Sequence, residues 1–227
     1  GTITSCANQG AVNASYSYAG GIVGDNYGAI TDSYNNGSVA IPFYSYAGGI
    51  CGHNSGPLTN VYNASALTNA WPICTLANGG SRMTNVYYAF YGSLPGISVN
   101  IGTGGTPTGK TAEQFASGEA AYLLGSAYGQ TFGTHALPVL RAQGGAAVYK
   151  LTYMNGSAVH AIQYYNEGNA VSAAGVPTPA MEDGAFLDWQ GLPVFMPDRD
   201  VTVTASSTPS APVILTESLP EGVVNKA

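Results

Sequence analysis

The N-terminal part of this chain repeats itself with a period of 25 to 28 residues. An apolar residue, a threonine and a polar residue recur together, and the four copies begin at Ile3, Ile30, Leu58 and Met83. A second phrase with the same period, Tyr-Ala-Gly-Gly-Ile, occupies residues 18–22 and 46–50. Periods of this length are typical of stacked repeat architectures. The repeat therefore constrains the fold more than any single residue does.

The repeat predicts a β-solenoid-like stack of short strands. Each unit has two short β-like stretches separated by turns rich in Asn and Gly, and no unit can bury its apolar side alone. Stacking would form one inward column from the four apolar starts and a second inward column from Ile22, Ile50 and Ile73. The Gly-Gly pair before each of the first two isoleucines fits a sharp bend in which backbones approach closely.

Two further features of the repeat predict contacts between successive coils. Asn8, Asn35 and Asn63 stand at matching turn positions, where each side chain can bond local backbone and the neighbouring copy. Cys51 and Cys74 also match, so stacking would bring their α-carbons within disulfide range. A disulfide and two buried thiols are both open for this pair, and buried thiols are the commoner outcome.

Composition excludes several classes of partner. Charged residues make up only 8% of the chain and the net charge is −6, so neutral polar groups supply the solubility, as in an extracellular β-protein. Binding of nucleic acid needs several Lys or Arg on one face, and this chain has no basic cluster. Binding to anionic membranes needs a similar basic cluster, so it is not expected either. No apolar run approaches the roughly eighteen residues of a membrane span, so no membrane insertion is expected.

The repeats resemble the GLUG repeats of bacterial surface proteins. The resemblance covers roughly residues 1 to 100 and rests on Gly-Gly-Ile-Val-Gly-Asp-Asn at 20–26 and Thr-Asp-Ser-Tyr-Asn-Asn-Gly at 31–37. It implies a β-solenoid-like module of large secreted or wall-attached bacterial proteins, of a kind regarded as adhesive. It brings no catalytic residues.

Composition shifts near residue 105, since charged residues are scarce before this point and common after it. We therefore predict a solenoid domain over residues 1–105 and a helical closing segment over 106–147 that covers the solenoid's open end. Thr111 and Gln114 have capping-box spacing, and the residues that follow suit a short amphipathic helix ending at Gly125.

The sequence from residue 148 onward predicts further β structure. Alternating aromatic and β-branched residues from Val148 onward indicate strands. The residues Phe186, Trp189, Met196 and Pro197 resemble the Listeria-Bacteroides repeat, which is related to internalin B-repeats, and imply a β-grasp-like spacer over 148–205. Trp189 is either a core anchor, which we favour, or a sugar-stacking platform. We expect residues 206–227 to be a linker followed by the truncated start of a further β-domain, because Val213 onward resembles the opening strand of bacterial immunoglobulin-like domains. The predicted fold class is mainly β.

Among the motifs that suggest chemistry, the strongest alternative to a non-catalytic module is a nucleotide-binding site. Residues 104–111, which end in Gly109, Lys110 and Thr111, satisfy the P-loop pattern. P-loop folds need alternating strands and helices, whereas one helix followed by strands is expected downstream. We favour a connector whose Thr111 caps a helix.

Other catalytic and metal sites are not predicted. His53, His135 and His160 lack zinc-site spacing and are expected in loops or on the surface. The repeats hold only Asp25, Asp32 and Arg82 as charged residues, too few for cleavage of a polysaccharide. We expect no catalytic residue, no bound metal and no cofactor.

Four tyrosines are the candidate ligand-binding residues: Tyr16, Tyr18, Tyr44 and Tyr46. They precede the Gly-Gly phrase in two successive repeats and could present an aromatic stripe to a host glycan or an extracellular protein. The alternative, which we favour, is a packing ladder within the stack.

The sequence therefore predicts a non-catalytic module of a bacterial protein that is secreted or attached to the cell wall. Its role would be adhesion or that of a structural stalk, at an extracellular or cell-surface location. The alternatives are a carbohydrate-binding or carbohydrate-active solenoid and, last, a P-loop nucleotide binder.

Overall fold

The repeats fold into a β-solenoid in which successive coils stack with their strands parallel. The computed structural model describes residues 1–15, 17–41, 46–90, 94–101 and 104–208. The predicted register is confirmed, because Ile3 lies opposite Ile30, Ile30 opposite Leu58, and Leu58 opposite Met83. The expected fold class, mainly β with few and short helices, is also confirmed.

In the described residues, the coils of the solenoid contain fifteen strands. The first coil contains β1 (Thr2–Thr4), β2 (Ala7–Asn8), β3 (Val12–Asn13), β4 (Tyr18–Gly20) and β5 (Val23–Asn26). The second coil contains β6 (Ala29–Asn35), β7 (Val39–Ala40), β8 (Tyr46–Gly48) and β9 (Cys51–Asn54). The third and fourth coils contain β10 (Leu58–Asn63), β11 (Leu67–Thr68), β12 (Cys74–Ala77), β13 (Met83–Ala89), β14 (Ile97–Asn100) and β15 (Thr108–Lys110).

Four parallel sheets form the sides of the stack. Their strand orders are β1-β6-β10-β13-β15, β3-β7-β11, β4-β8 and β5-β9-β12-β14, and β2 also pairs with β6. The two predicted inward columns meet in one core: Ile30, Ile50, Leu58 and Ile73 are fully buried there. Each such side chain contributes about 1.5 to 3 kcal/mol. The core therefore grows with each coil that is added.

The Gly-Gly pairs are required by close backbone approach. A Cβ atom on Gly20 would collide with the backbone of Cys51, and one on Gly21 with the carbonyl of Gly49. None of these glycines has a positive φ, so the bend does not depend on left-handed backbone. The predicted close approach is confirmed, and its reason is space rather than conformation.

Left-handed backbone occurs instead in the apolar-Thr-polar phrase. Its third residue has a φ near +50° in all four coils: Ser5 (54°), Asp32 (48°), Asn60 (52°) and Asn85 (51°). Asn and Asp tolerate this conformation better than most residues. The side chains also bond along the stack, since Asn60 donates to Asp32 at 2.8 Å and Asn85 donates to Asn60 at 2.9 Å.

Buried asparagines connect the coils at the predicted positions. Asn8 donates to Oδ1 of Asn35 at 2.8 Å, and Asn35 donates to Oδ1 of Asn63 at 2.8 Å. Asn35 also donates to the Gly37 carbonyl and accepts from the Gly37 amide, so it bonds local backbone as well. The predicted double role is confirmed for Asn8 and Asn35, and Asn63 is confirmed as the partner in the next coil.

Cys51 and Cys74 are buried free thiols, so of the two predicted outcomes the structure has the thiol pair. They lie in neighbouring strands, β9 and β12, within the apolar core. The hydrogen bond with Cys74 and the burial raise the pKa of the Cys51 thiol well above its ordinary value. This thiol is therefore protonated and unreactive at neutral pH.

The predicted closing segment, residues 106–147, contacts the solenoid in two places: its strand β15 pairs with β13 at the end of the largest sheet, and its helical part covers a flank. It contains α1 (Ala112–Ala116), α2 (Glu119–Leu124), the hairpin β16 (Tyr128–Gly129) and β17 (Val139–Leu140), and a short 3-10 helix (Arg141–Gln143). Phe115, Leu124 and Tyr128 pack on Tyr34 and Tyr62, two buried rings of neighbouring coils that stack 5.0 Å apart. These outward-facing rings need a cover, whereas β15 already completes the end of that sheet.

The last described segment is a four-stranded mixed sheet. Its strands are β18 (Tyr149–Asn155), β19 (Ala158–Tyr165), β20 (Phe186–Gln190) and β21 (Val201–Ser207), in the order β19-β18-β21-β20 with β18 and β21 parallel. Residues 148–208 contain no helix. Asn166 joins this sheet to the helical segment, because it donates to the Gln130 carbonyl and accepts from the Phe132 amide.

Replacement of a ladder asparagine should destabilise the solenoid. We expect Asn35→Ala to lower the free energy of unfolding by about 2 to 4 kcal/mol, because each buried partner left without its bond costs about 1 to 3 kcal/mol. Asn13→Ala is the matched control, since Asn13 is an exposed strand residue, and its effect should stay within about 0.5 kcal/mol. Urea unfolding of both variants measures the difference. Equal stabilities would show that the ladder adds nothing.

Candidate ligand-binding face

Two of the four candidate tyrosines form an exposed stack on the solenoid. Tyr18 in β4 lies opposite Tyr46 in β8, and their ring centroids are 5.1 Å apart at an interplanar angle of 26°. The rings remain 44% and 42% exposed, respectively. Tyr18 and Tyr46 therefore form a packing ladder that is also exposed as an aromatic stripe, so the two predicted arrangements coexist. Tyr16 and Tyr44 lie outside the described residues.

The stack alone offers little flat surface to a ligand. Each ring turns one face toward its neighbour, so that face is closed to a ligand. A sugar ring packs best against an open aromatic face. A binding surface at this position therefore needs an additional aromatic residue.

Next to the stack, β5 and β9 bring Asp25 opposite His53. His53 Nδ1 lies 2.6 Å from Oδ1 of Asp25, and Nε2 lies 2.6 Å from Nδ2 of Asn78. Because the Asn78 amide donates to Nε2, Nδ1 carries the proton and donates to Asp25. The imidazole is buried, so the predicted loop or surface position of His53 is wrong. The buried imidazole of His53 therefore holds the Asp25 carboxylate in place through this hydrogen bond.

Tyr27 supplies the open aromatic surface. Its ring is 75% exposed and meets the His53 ring edge-on, with centroids 5.8 Å apart. His53 also lies 5.8 Å from the Tyr18 ring, so the imidazole connects Tyr27 to the tyrosine stack. The negative charge of Asp25, together with hydrogen bonding to it, raises the pKa of the Tyr27 hydroxyl. We call the surface formed by Tyr18, Tyr46, Tyr27 and Asp25 the tyrosine face.

Repeat analysis missed Tyr27 because the residue has no counterpart. The matching position in the next coil is Ser55, so the period carries no signal for an aromatic there. The pairing of Asp25 with His53 did have a signal, since the aligned Gly-Gly-Ile phrases place the two residues at the same position. The alignment becomes a contact because β5 and β9 pair in the register that places Asp25 opposite His53.

Trp189 is a core residue, which confirms the favoured prediction. It packs in the core of the C-terminal sheet, and its ring meets Tyr153 edge-on with centroids 4.9 Å apart. Trp189 is also in ring contact with Phe186 at 5.2 Å. Its indole therefore has too little free surface to act as a sugar platform.

The P-loop pattern forms no phosphate cradle. Thr108–Lys110 is strand β15, which pairs with β13. Lys110 is buried, with its Nζ 2.5 Å from Oε1 of Glu119 and 5.3 Å from the Tyr87 ring centroid. Thr111 accepts the Gln114 amide and caps α1 in a capping box, as expected of a connector. The lysine is thus occupied by structural contacts.

Two kinds of feature are absent from the described ranges of the chain, metal sites and membrane-spanning helices. There, no group of three or more His, Cys, Asp or Glu side chains could hold a metal ion. Neither α1 nor α2, nor any other helix in that part of the chain, has the length and apolar character of a transmembrane span.

Comparison with known proteins gives no match: no family model, no curated protein and no solved structure is similar to this chain. What the protein binds is therefore inferred from its own residues.

Replacement of Asp25 should lower the pKa of Tyr27. A carboxylate disfavours the phenolate nearby, so in Asp25→Asn the phenol should lose its proton at a lower pH. The measurement is an NMR titration of the Tyr27 ring carbon in selectively labelled protein. Asp32→Asn is the control, since Asp32 bonds Asn60 on another sheet, and it should leave the titration of Tyr27 unchanged. An unchanged titration in Asp25→Asn would contradict the geometry of the face.

Proposed function

We propose that this chain is a non-catalytic adhesive module of a secreted or wall-attached bacterial surface protein. The observation that carries the proposal is the tyrosine face, in which exposed aromatic rings and the Asp25 carboxylate lie together on one side of the stack. An exposed aromatic cluster of this kind is costly to keep in water unless it serves binding. The GLUG resemblance of the repeats supports the same role.

The face suits a glycan. The open ring of Tyr27 can pack against the C–H side of a pyranose, which is apolar. Asp25, held by the His53 imidazole, offers carboxylate oxygens to sugar hydroxyls. The hydroxyls of Tyr18 and Tyr46 extend the polar contacts along the axis of the solenoid. A few placed polar groups around an aromatic surface are the usual composition of a binding site for a small ligand.

A binding role is favoured over polysaccharide cleavage by the distribution of carboxylates. Glycoside hydrolysis needs two carboxyl groups that face each other across the scissile bond. The other acid of the repeats, Asp32, lies in β6 and accepts from Asn60, whereas Asp25 lies in β5, in a different sheet. The two carboxylates therefore do not share a groove.

The rest of the molecule supports display of this face. The solenoid is connected through the helical segment to the C-terminal sheet by direct contacts, among them a hydrogen bond of 2.6 Å from Tyr122 to Asp200. A module built in this way holds its binding surface in a fixed orientation on a stalk. Few charges and many neutral polar residues fit the extracellular location that we propose.

Glycan binding can be tested with an array of mucin glycans and bacterial or host polysaccharides, together with matrix proteins. We expect at least one glycan to bind, and Tyr27→Ala to weaken its binding about tenfold or more, as for loss of a central aromatic contact. Phe195→Ala is the matched control, because Phe195 is an exposed ring of the C-terminal segment, and it should bind normally. Absence of any ligand, or full binding by Tyr27→Ala, would contradict adhesion through this face.

A further inference from the structure

A cleft of about 620 Å³ lies between the helical segment and the C-terminal sheet, away from the tyrosine face. One wall is formed by Leu123 and Glu119 of α2 with Phe132, and the other by the last residues of β19, including Ile162 and Tyr164. The Tyr122 and Tyr164 rings, with centroids 5.4 Å apart, join the two walls. The cleft is therefore bounded by a helix on one side and a strand on the other.

The strand that lines the cleft is an edge strand. Among the strands of the described residues, whose order is β19-β18-β21-β20, only β18 lies next to β19. Within the described part of the chain, the backbone of Ala158–Tyr165 has no hydrogen-bond partner outside its own sheet. Every second residue of an antiparallel edge strand turns its N–H and C=O groups away from the sheet. These groups are available to a further strand.

The half of β19 that lines the cleft carries no protection against strand addition: the pairing with β18 is irregular at His160, whereas residues 161–165 pair regularly. Natural proteins protect sheet edges with charged residues, prolines or bulges. Residues 158–165 contain no Lys, Arg, Asp, Glu or Pro, and Ile162 is 45% exposed. The opposite edge, β20, has the charged Asp188 and an irregular register beside it. The open edge thus faces the cleft and not bare solvent.

We propose that this cleft binds an extended peptide segment of a partner protein, which adds to the sheet as a new strand beside β19. Backbone bonds to an edge strand give such complexes affinity, and alternate side chains give them specificity. The apolar side chains of the segment would pack on Leu123 and Phe132. This interaction is independent of the glycan site on the solenoid.

The charges around the cleft determine which segment fits. Glu119 is the acidic residue in its walls; its Oε1 accepts Lys110 at 2.5 Å, while Oε2 has a contact of only 3.3 Å with Gln114. The carboxylate of Asp200 lies just beyond Tyr122, and its hydrogen bond raises the pKa of Tyr122 to about 12. Asp200 is already occupied, because it also accepts the Lys150 amide, and the Lys150 Nζ lies 5.3 Å from the Tyr122 ring centroid. Oε2 of Glu119 and the net charge of −6 therefore favour a basic side chain beside Glu119 over an acidic one. The partner segment is therefore apolar, extended and basic.

The probes are short fluorescent peptides in which valine and threonine alternate around a lysine, with the lysine at different places across the panel. Fluorescence polarisation with the full chain should show saturable binding by at least one peptide. Methylation of alternate backbone amides should abolish binding, because it removes the strand's donors. Replacement of the lysine by glutamate should weaken binding about tenfold.

Two lysine substitutions on the same strand locate the site. We expect Ile162→Lys, inside the cleft, to weaken peptide binding about tenfold or more, since a charge on an edge blocks strand addition. Val159→Lys is the control, because Val159 is 59% exposed on the same strand but lies outside the cleft, and it should bind normally.

Three results would overturn the proposal. They are failure of every peptide in the panel, equal binding of the methylated form, and equal loss in both lysine variants. Tyr27→Ala should leave peptide affinity unchanged, so the glycan proposal and the peptide proposal can fail separately.

Discussion

The fold depends on one constraint, the in-register parallel stacking of coils whose buried asparagines and inward apolar residues stand at matching positions. An asparagine buried inside a coil is satisfied only when the same residue of the next coil lies directly beside it, as Asn35 lies beside Asn63. A shift by one residue would leave those amides without partners and would turn the inward isoleucines outward. The same register creates the tyrosine stack and the pairing of Asp25 with His53. Structure and candidate site therefore have a single physical origin.

The sequence predicted the contacts between residues that recur in each repeat, and it did not predict the contacts of residues that occur in a single coil. The inward columns, the asparagine ladder and the match of Tyr18 with Tyr46 follow from equivalent positions in successive repeats. Tyr27 has no equivalent, so its place beside Asp25 became visible only in three dimensions. The repeat period also carried no information about where the helical segment packs. It is decided by the outward rings of Tyr34 and Tyr62, whose burial needs a cover on the flank.

The molecule divides its exposed functional groups between two units. The solenoid keeps charge low and presents aromatic rings beside one carboxylate, a surface that suits neutral hydroxyl-rich ligands. The C-terminal sheet presents backbone groups of an edge strand beside Glu119, a surface that suits a basic peptide. The helical segment contacts both units, through Tyr62 on one side and Asp200 on the other. Both proposed surfaces are thus held on one continuous packed structure.

The most direct test of the stacking is nuclear Overhauser spectroscopy on uniformly labelled protein. The account predicts backbone contacts between residues one period apart, which include Ile3 with Ile30, Ile30 with Leu58, and Leu58 with Met83, all with the pattern of parallel strands. Contacts of the antiparallel pattern within each repeat, or an absence of contacts at separations of 25 to 28 residues, would contradict it.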